Sequence, residues 1–404
     1  MATTNTTETL NGFFKEVYAK KIENLIPDGV KLLNDIPFAQ REKQNGNFFH
    51  QPVTLAHEHG VTFAGTDAGA FALNSAIAGG TEDAQVKGSQ LVLRSALSYD
   101  AASRSVGGGQ KAFEDSTKYL VQNMMKSVTK KLEIELLYGQ MGYGTVASTS
   151  GTTITVTTAE WAPGIWAGAK GMPIEIRSSA GALRGEATVQ SASLSARSVT
   201  LNVMPAGVVA TDIIYHKSAY GNEFAGIHKI LTNTGTLFNI DASVHDLWKG
   251  NTYSASNAAL SFAKIQDAVA KAVEKGLESD VKVFVNVNAW SDLLTEQAAL
   301  RQYDSSYRSS ESENGAKSIR FHGQNGMIEI VPSIYIKEGY AYVLSIEEWF
   351  RPGSTEVTFK RPGKGDEFFR DLENNAGYEL RLYADMSLFC MYPGHNTIIT
   401  NIVN

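Results

Sequence analysis

The densest run of side chains able to bind a metal or move a proton is His57-Glu58-His59. On an extended strand, residues two apart share a face, so the two imidazoles would point the same way. Two ligands do not make a zinc site and no third is marked, so the run predicts no metal. Gly142-Tyr143-Gly144-Thr145-Val146-Ala147 fits the GxGxxA spacing of a phosphate loop. It follows a helical segment and leads into strand-like runs, the reverse of the strand-turn-helix order that sets a phosphate on a helix N-terminus. There is no GxxxxGK[ST], no GxSxG and no HExxH. Ser, His and Asp all occur, but no local spacing singles out a nucleophile, which leaves only a triad assembled in space. Cys390, the single cysteine, lies in MSLFCMYP and reads as a buried small apolar residue. No catalytic, cofactor-binding or metal-binding residue is assigned.

The basic pairs Lys20-Lys21, Lys130-Lys131 and Lys360-Arg361 could contact phosphates, but the chain carries a net charge of -6 and lacks the overall basic footprint of a nucleic-acid binder. They read as solvated faces or subunit contacts. Charged residues make up only 19% of the chain, below the usual quarter, while Gly, Ala, Ser and Thr are abundant. Such a composition suits a protein that covers its surface with copies of itself, although glycine-rich β proteins share it. No stretch approaches 18 apolar residues, and MATTNTTETL has neither a basic segment nor an apolar run. The expectation is a soluble chain made in a cytoplasm, its 404 residues forming two or three domains.

The element that must position everything else is a long helix over residues 110 to 138. Phe113, Leu120, Val121, Met124, Met125, Val128, Leu132 and Leu136 recur at threes and fours, and Glu114, Lys118, Gln122, Lys126, Lys130 and Glu133 fill the opposite face. At 1.5 Å per residue it spans about 40 Å, a spine longer than a small domain needs. Gly139 is expected to end it.

Ahead of it, Asn5 and Glu8 have capping-box spacing, followed by a helical stripe that includes Phe13 and Phe14. Residues 30 to 55 read as extended around the Asn45-Gly46 hairpin signal. From about residue 60 to 105, two extended arms poor in large residues are expected to meet at a polar tip, Glu82 to Gly88, and to project. Alternation at Leu91, Leu93 and Leu97 argues against a disordered loop. After the spine, TTITVTT, GMPIEIRS, SVTLNVMP and DIIYHK are short β runs separated by turns, so residues 141 to 217 predict a small all-β insert with Trp161 and Trp166 as its core or a packing pair. From Gly221, NEFAGIHKILTNTGTLFNID reads as extended. LSFAKIQDAVAKAVEKG is a helix, DVKVFVNVNAW a buried strand, and Ser291 opens a further helix. YDSSYRSSESENG reads as an exposed loop. The strand runs from MIEIVPSIYI to NTIITNIV close an α+β architecture, the last returning to the first sheet.

This order, carried by GGGQKAFEDSTKYLVQNMMKSVTKKLEIELLYG, FAGIHKILTNTG, DVKVFVNVNAWSDLL, GMIEIVPSIYIKEGYAYVLSIEEW and ELRLYADMSLFCMYPG, resembles the major capsid proteins of tailed bacteriophages. The resemblance implies the shell fold of tailed phages, herpesvirus capsid floors and encapsulins. It implies an amino-terminal arm (1–55), an extended β loop (56–106), a peripheral-domain spine (107–140), a β insertion domain (141–217), a mainly axial domain (218–350) and returning peripheral strands (351–404). It implies no enzyme but a homo-oligomer of pentamers and hexamers that encloses double-stranded DNA without sequence-specific contact. A separate scaffolding protein (no scaffolding segment precedes the arm), a portal protein and possible decoration proteins are its partners, with no membrane. Leu91, Leu93, Leu97, Phe13 and Phe14 become inter-subunit contact candidates. Lys87 with Asn374 or Asn375 would be the crosslink that some members form, without an assignable catalytic acid. The alternatives are an encapsulin-like compartment and an enzyme whose site is assembled only in space.

Overall fold

The computed structural model describes residues 29–39, 46–67, 69–99, 110–300, 319–360, 370–372 and 376–403, with residues 110–119 and 297–300 as backbone only. Phe13, Phe14, Lys20, Lys21, Arg361, Asn374 and Asn375 lie outside the described residues, as do the expected terminal helix, the glycine turn before the spine and the serine-rich loop.

A short helix, α1 (Leu32–Asp35), precedes strands β1 (Phe49–Ala56), β2 (Gly80–Val86) and β3 (Ser89–Ser98) and the spine, α2 (Gln110–Tyr138). The spine has the predicted bounds, but its second half differs from the amphipathic reading. Every residue from Leu132 to Gly139 is buried, so the helix enters the middle of the body. Glu133, expected on the solvated face, is fully buried because its carboxylate accepts the backbone N–H groups of Lys31, Leu32 and Leu33 at 3.0, 3.0 and 2.8 Å. These are orphan donors at the start of α1, and a carboxylate is the natural acceptor there.

Gly139 ends the spine for a reason other than a left-handed turn. Gly226 N donates to Gly139 O at 3.0 Å, and a Cβ on Gly139 would lie 2.2 Å from the Phe224 carbonyl oxygen. The left-handed residue is the next one, Gln140, at φ 66°.

The insert is a closed barrel. Strands β4 (Gly144–Ser150), β5 (Thr153–Val156), β6 (Pro173–Arg177), β7 (Leu183–Ser193), β8 (Ser198–Leu201) and β9 (Ile213–His216) pair in the order β4-β5-β8-β7-β6-β9, with helix α3 (Pro163–Trp166) between β5 and β6. Alternate residues such as Ile154, Val156, Val199 and Leu201 point inward, as the period of two requires. Trp161 and Trp166 stack at 5.9 Å and 11° and are fully buried. The apolar interior runs without a break into the spine residues Leu132 and Leu136 and into Tyr335 and Ile336, so the barrel shares the body's core.

Beyond the barrel, Ile227–Leu231 forms a short helix, α4, where extended structure was expected. A six-stranded sheet follows from β10 (Asn251–Ala258), β11 (Val281–Val285), β12 (Ile319–His322), β13 (Met327–Pro332), β14 (Ala341–Leu344) and β18 (Thr397–Ile402), ordered β10-β18-β14-β11-β13-β12. Helices α5 (Phe262–Val273) and α6 (Val287–Leu300) accompany it. Val283, Val343 and Ile399 face the core shared with α5, while Phe284, Tyr342 and Ile398 face the body core, so the sheet is apolar on both sides. Helix α6 starts before Ser291: Asn286 caps it, its Oδ1 accepting the Asn288 N–H at 2.9 Å.

Strands β15 (Gly353–Thr358), β16 (Arg370–Asp371) and β17 (Gly377–Met386) form a second sheet, in which β17 pairs with β3 over ten residues, Leu93 opposite Leu382. β3 is therefore a strand of the body. The Glu82 to Gly88 stretch, expected at the tip of the projection, lies at its base, and the outer segment is residues 57–79. β18, expected to return to the first sheet with the strands around it, is an inner strand of the six-stranded sheet.

Candidate assembly surface

The projection is a hairpin, β1 against β2, carrying residues 57–79. Its base is fixed by an apolar cluster in which Phe49, Ala84 and Val86 meet Trp248 and Phe389. Polar ties surround that cluster: Gln85 N donates to Phe238 O at 3.0 Å, His245 approaches Glu82 at 3.3 Å, and His50 approaches Asp83 at 2.6 Å.

The outer segment has no such support. His59 N donates to Ile77 O at 3.1 Å and Asn74 Nδ2 to Val61 O at 2.9 Å, which hold its two sides together. Its large apolar residues, however, point into solvent: Phe63 is 91% exposed and Leu73 80%, with Val61, Phe71 and Ile77 each more than half exposed. Burying such side chains against a partner would be worth roughly 1.5 to 3 kcal/mol each, which makes this segment the candidate interaction surface. Sequence reasoning missed these residues. The available signal was charge: from Gln44 to Val86 there is no lysine or arginine, while Glu58, Asp67, Glu82 and Asp83 are present.

A cleft of about 520 Å³ opens between the start of β3, the spine and the barrel. Lys126, Lys130, Lys131, His216 and Lys217 line it together with Leu91, Leu93 and Ile134. The pair Lys130-Lys131 is thus no solvated face. Lys130 Nζ donates to the Ala167 carbonyl at 2.5 Å, and burial pushes its ammonium down to about 8. Lys131 reaches the Tyr143 hydroxyl and lies 4.6 Å over its ring.

The other sequence candidates fall in three places. Leu91 and Leu93 are half-buried on the body core, and Leu97 is half-buried farther along β3. Lys87 is exposed in the turn between β2 and β3. His57, Glu58 and His59 are exposed just past β1, and Gly142 to Ala147 lead into and form the first barrel strand. Among the described residues no group of three His, Cys, Asp or Glu side chains could hold a metal ion, and no helix is long and apolar enough to cross a membrane.

One buried polar constellation joins spine, barrel and body. Lys337, 2% exposed, pairs with Glu160, donates to Gly142 O at 3.2 Å and lies 4.4 Å over the Tyr138 ring. Tyr340 donates to Glu160 at 2.7 Å, and His228 meets the Tyr342 hydroxyl at 2.8 Å. Burial works against the Glu160 charge, but Lys337 outweighs it and holds the carboxyl below its ordinary range. Burial and Lys337 push His228 down to about 4, so the imidazole is neutral. Its ammonium and carboxylate are committed to one another and to neighbouring backbone and hydroxyl groups, an arrangement that ties elements together.

No protein-family model matches the sequence, and no curated protein matches it. Solved structures do. The chain is similar to a subunit in the cyanophage A-1(L) capsid asymmetric unit, with TM-score 0.61 and 12% identity over 99% of this chain and 100% of that one. It is similar to the capsid of Myoviridae phage XM1, with TM-score 0.52 and 9% identity over the whole of both chains. It is also similar to the capsid of the native GTA particle, with TM-score 0.51 and 10% identity, again over the whole of both. The projection, spine, two sheets and barrel described above together make up an α+β chain with the tailed-phage capsid fold.

Proposed function

We propose that this chain is the major structural subunit of an icosahedral capsid shell that encloses the double-stranded DNA of a tailed phage. The observation that carries the reading is the outer segment 57–79, whose Phe63 and Leu73 find no cover in their own subunit, in a chain with a capsid-shell fold. Repeated burial of one subunit's projection on the next is a heterologous contact, and such contacts close as rings or shells. The projection is acidic and free of lysine, and the cleft beside the spine carries four lysines against two glutamates, Glu135 and Glu223, so the neighbour's cleft is the complementary receptor. The uncovered sides of Leu91 and Leu93 lie in that cleft and belong to the same contact. The subunit works by assembly and conformational change, without chemistry.

Residues 29–55 would then belong to the amino-terminal arm, 56–86 to the extended loop, the spine and the β15–β17 sheet to the peripheral domain, and the six-stranded sheet to the axial domain. Pentamers and hexamers, a scaffolding protein, a portal and decoration proteins are the expected partners, and the virion, after synthesis in a bacterial host, the expected location. Purified protein should give closed shells or capsomers by negative-stain microscopy, and Phe63→Asp with Leu73→Asp should yield a monomer with unchanged circular dichroism. A small, stable wild-type oligomer with measurable turnover would replace this reading with that of an enzyme; shells holding a cargo enzyme would point to a protein compartment.

A further inference from the structure

The barrel joins the body through two crossings, residues 139–144 on the way in and 216–226 on the way out. Both are pinned at one cluster. Glu135, on the last turn of the spine, is 4% exposed and accepts the Phe224 N–H. Glu223 accepts the Gln140 N–H at 3.2 Å, and Gln140 Nε2 donates back to Glu223 O at 3.0 Å. Lys131, one helical turn before Glu135, reaches Glu223 at 3.5 Å and the Tyr143 hydroxyl. One spine turn thus holds both crossings through side chains.

The charges there do not balance. On the barrel side, Glu175 is matched by Arg177 at 2.9 Å and also accepts the Ser218 N–H at 3.2 Å. Arg177 in turn lies 4.2 Å over the Tyr220 ring, and Tyr215 packs edge-on against Tyr220. Lys217 is matched by Glu186 at 2.5 Å. Burial and Lys131 push His216 down to about 4, so it is neutral. Lys130 turns away to the Ala167 carbonyl. What remains at the neck is one ammonium, Lys131, between two carboxylates, the buried Glu135 and the half-buried Glu223, which line the cleft together with the exposed Lys126. With Lys131 shared between two carboxylates, the buried one is favoured in its protonated form.

We propose that Glu135 is a proton-operated latch on the neck of the barrel: protonated, it lets Lys131 and Glu223 close the neck onto the spine, and its ionisation places an unmatched negative charge there that loosens residues 139–144 and 216–226. Burial, with Glu223 beside it and Lys131 opposing, pushes the Glu135 carboxyl up to about 8. The folded-state value lies above the ordinary 4.5, so the stability it contributes is complete below about 4.5 and is lost as pH rises through about 8. The latch is therefore shut in acid and opens in mild alkali.

The test uses the full chain and Glu135→Gln, which mimics the protonated acid. In infrared difference spectra at pH 6, the wild type should show a protonated-carboxyl C=O stretch that titrates away by pH 9.5 and is missing from the variant. Hydrogen exchange of peptides covering 139–144 and 216–226 should accelerate above pH 8 beyond the intrinsic pH effect in the wild type only. The thermal midpoint of the wild type should fall relative to the variant by about 4 °C or more between pH 6 and 9.5. Because Lys130 also loses its charge near pH 8, the difference between the two proteins, rather than either profile alone, is the readout. Because burial also pushes up the carboxyl of Glu133, only a band that the wild type shows and the variant lacks counts; no such band, or parallel exchange profiles, would overturn the latch. If Glu135→Gln fails to fold, Lys130→Gln, which removes the other group that titrates near pH 8, decides instead: its carboxyl band and its exchange profile must still titrate together as in the wild type.

Discussion

Arg197 closes its Nε onto both oxygens of the Glu338 carboxylate, at 3.1 and 3.0 Å, across 141 residues of chain. The contact clamps the β7–β8 turn of the barrel against the turn that follows β13. Backbone bonds reinforce it: Glu338 N donates to Trp161 O, Gly339 N to Ala159 O and Gly164 N to Ile334 O, each at 2.9 Å. There is no room between the β5–β6 connection and the turn after β13, since a Cβ on Gly164 would lie 2.7 Å from a Tyr335 ring carbon and one on Gly339 2.6 Å from the Ala159 side chain. Packing and backbone should thus outweigh the ion pair. Arg197→Ala is expected to cost about 1 kcal/mol, because the guanidinium is partly solvated. Gly164→Val should cost about 3 kcal/mol or more through overpacking. Denaturant unfolding of the two variants checks the order, and equal losses would contradict it. For the same reason, excising residues 144–216 should leave an insoluble remainder.

Glu133 tests the attachment of α1 to the spine. Glu133→Ala strands three backbone N–H groups in the interior, with an expected loss of about 3 kcal/mol, whereas Glu133→Gln keeps an acceptor oxygen and should lose less. Urea midpoints of both variants decide. Similar losses would mean that the backbone donors find other partners.

Leu93 and Phe63 should behave oppositely. Leu93 rests on the body core opposite the fully buried Leu382. Leu93→Asp should therefore lower the melting temperature of the isolated subunit, by an amount set by roughly 2 kcal/mol or more of lost burial and carboxylate desolvation. Phe63→Asp, on a side chain already in solvent, should leave that temperature unchanged and abolish assembly. Differential scanning fluorimetry with sedimentation separates the two effects.

The Glu160–Lys337 pair sets an acid limit. The folded-state carboxyl lies below the ordinary 4.5, so its contribution is present above about 4.5 and is lost as pH falls through the lower folded value. Glu160→Gln should thus lower the thermal midpoint at pH 7 but much less at pH 3. Lys337→Met, which leaves a carboxylate enclosed without its partner, should cost about 3 to 5 kcal/mol at pH 7. Thermal melts at the two pH values read both.

The spine and the barrel were legible because each is governed by a local period: threes and fours from Leu120 to Leu136, and twos in runs such as TITV and SVTL. What stayed hidden depends on distance along the chain. β3 looked like part of a projection because its partner, β17, starts at Gly377. Glu133 sits in a polar slot of the helical pattern, and only the arrival of Lys31 to Leu33 from about 100 residues away turns it into an interior cap. The projection was misplaced because polarity marked Glu82 to Gly88 as a tip. If the outermost segment meets another copy, as proposed, the apolar part belongs at the tip.

The inner position of β18 has a consequence for biosynthesis. β14 pairs with β11 on one side, but β10 and β14 are not joined to one another until Thr397–Ile402 slides between them, parallel to the first and antiparallel to the second. Roughly fifty residues separate β14 from β18, which at ribosomal speed is several seconds during which two strand edges stand open beside the exit tunnel. Such edges recruit whatever extended chain is nearby, so this interval is when the nascent protein most needs a chaperone. It also acts as a length check: a polypeptide cut short before Thr397 cannot zip the sheet, and a ribosome that stalls late yields a product fit for proteolysis.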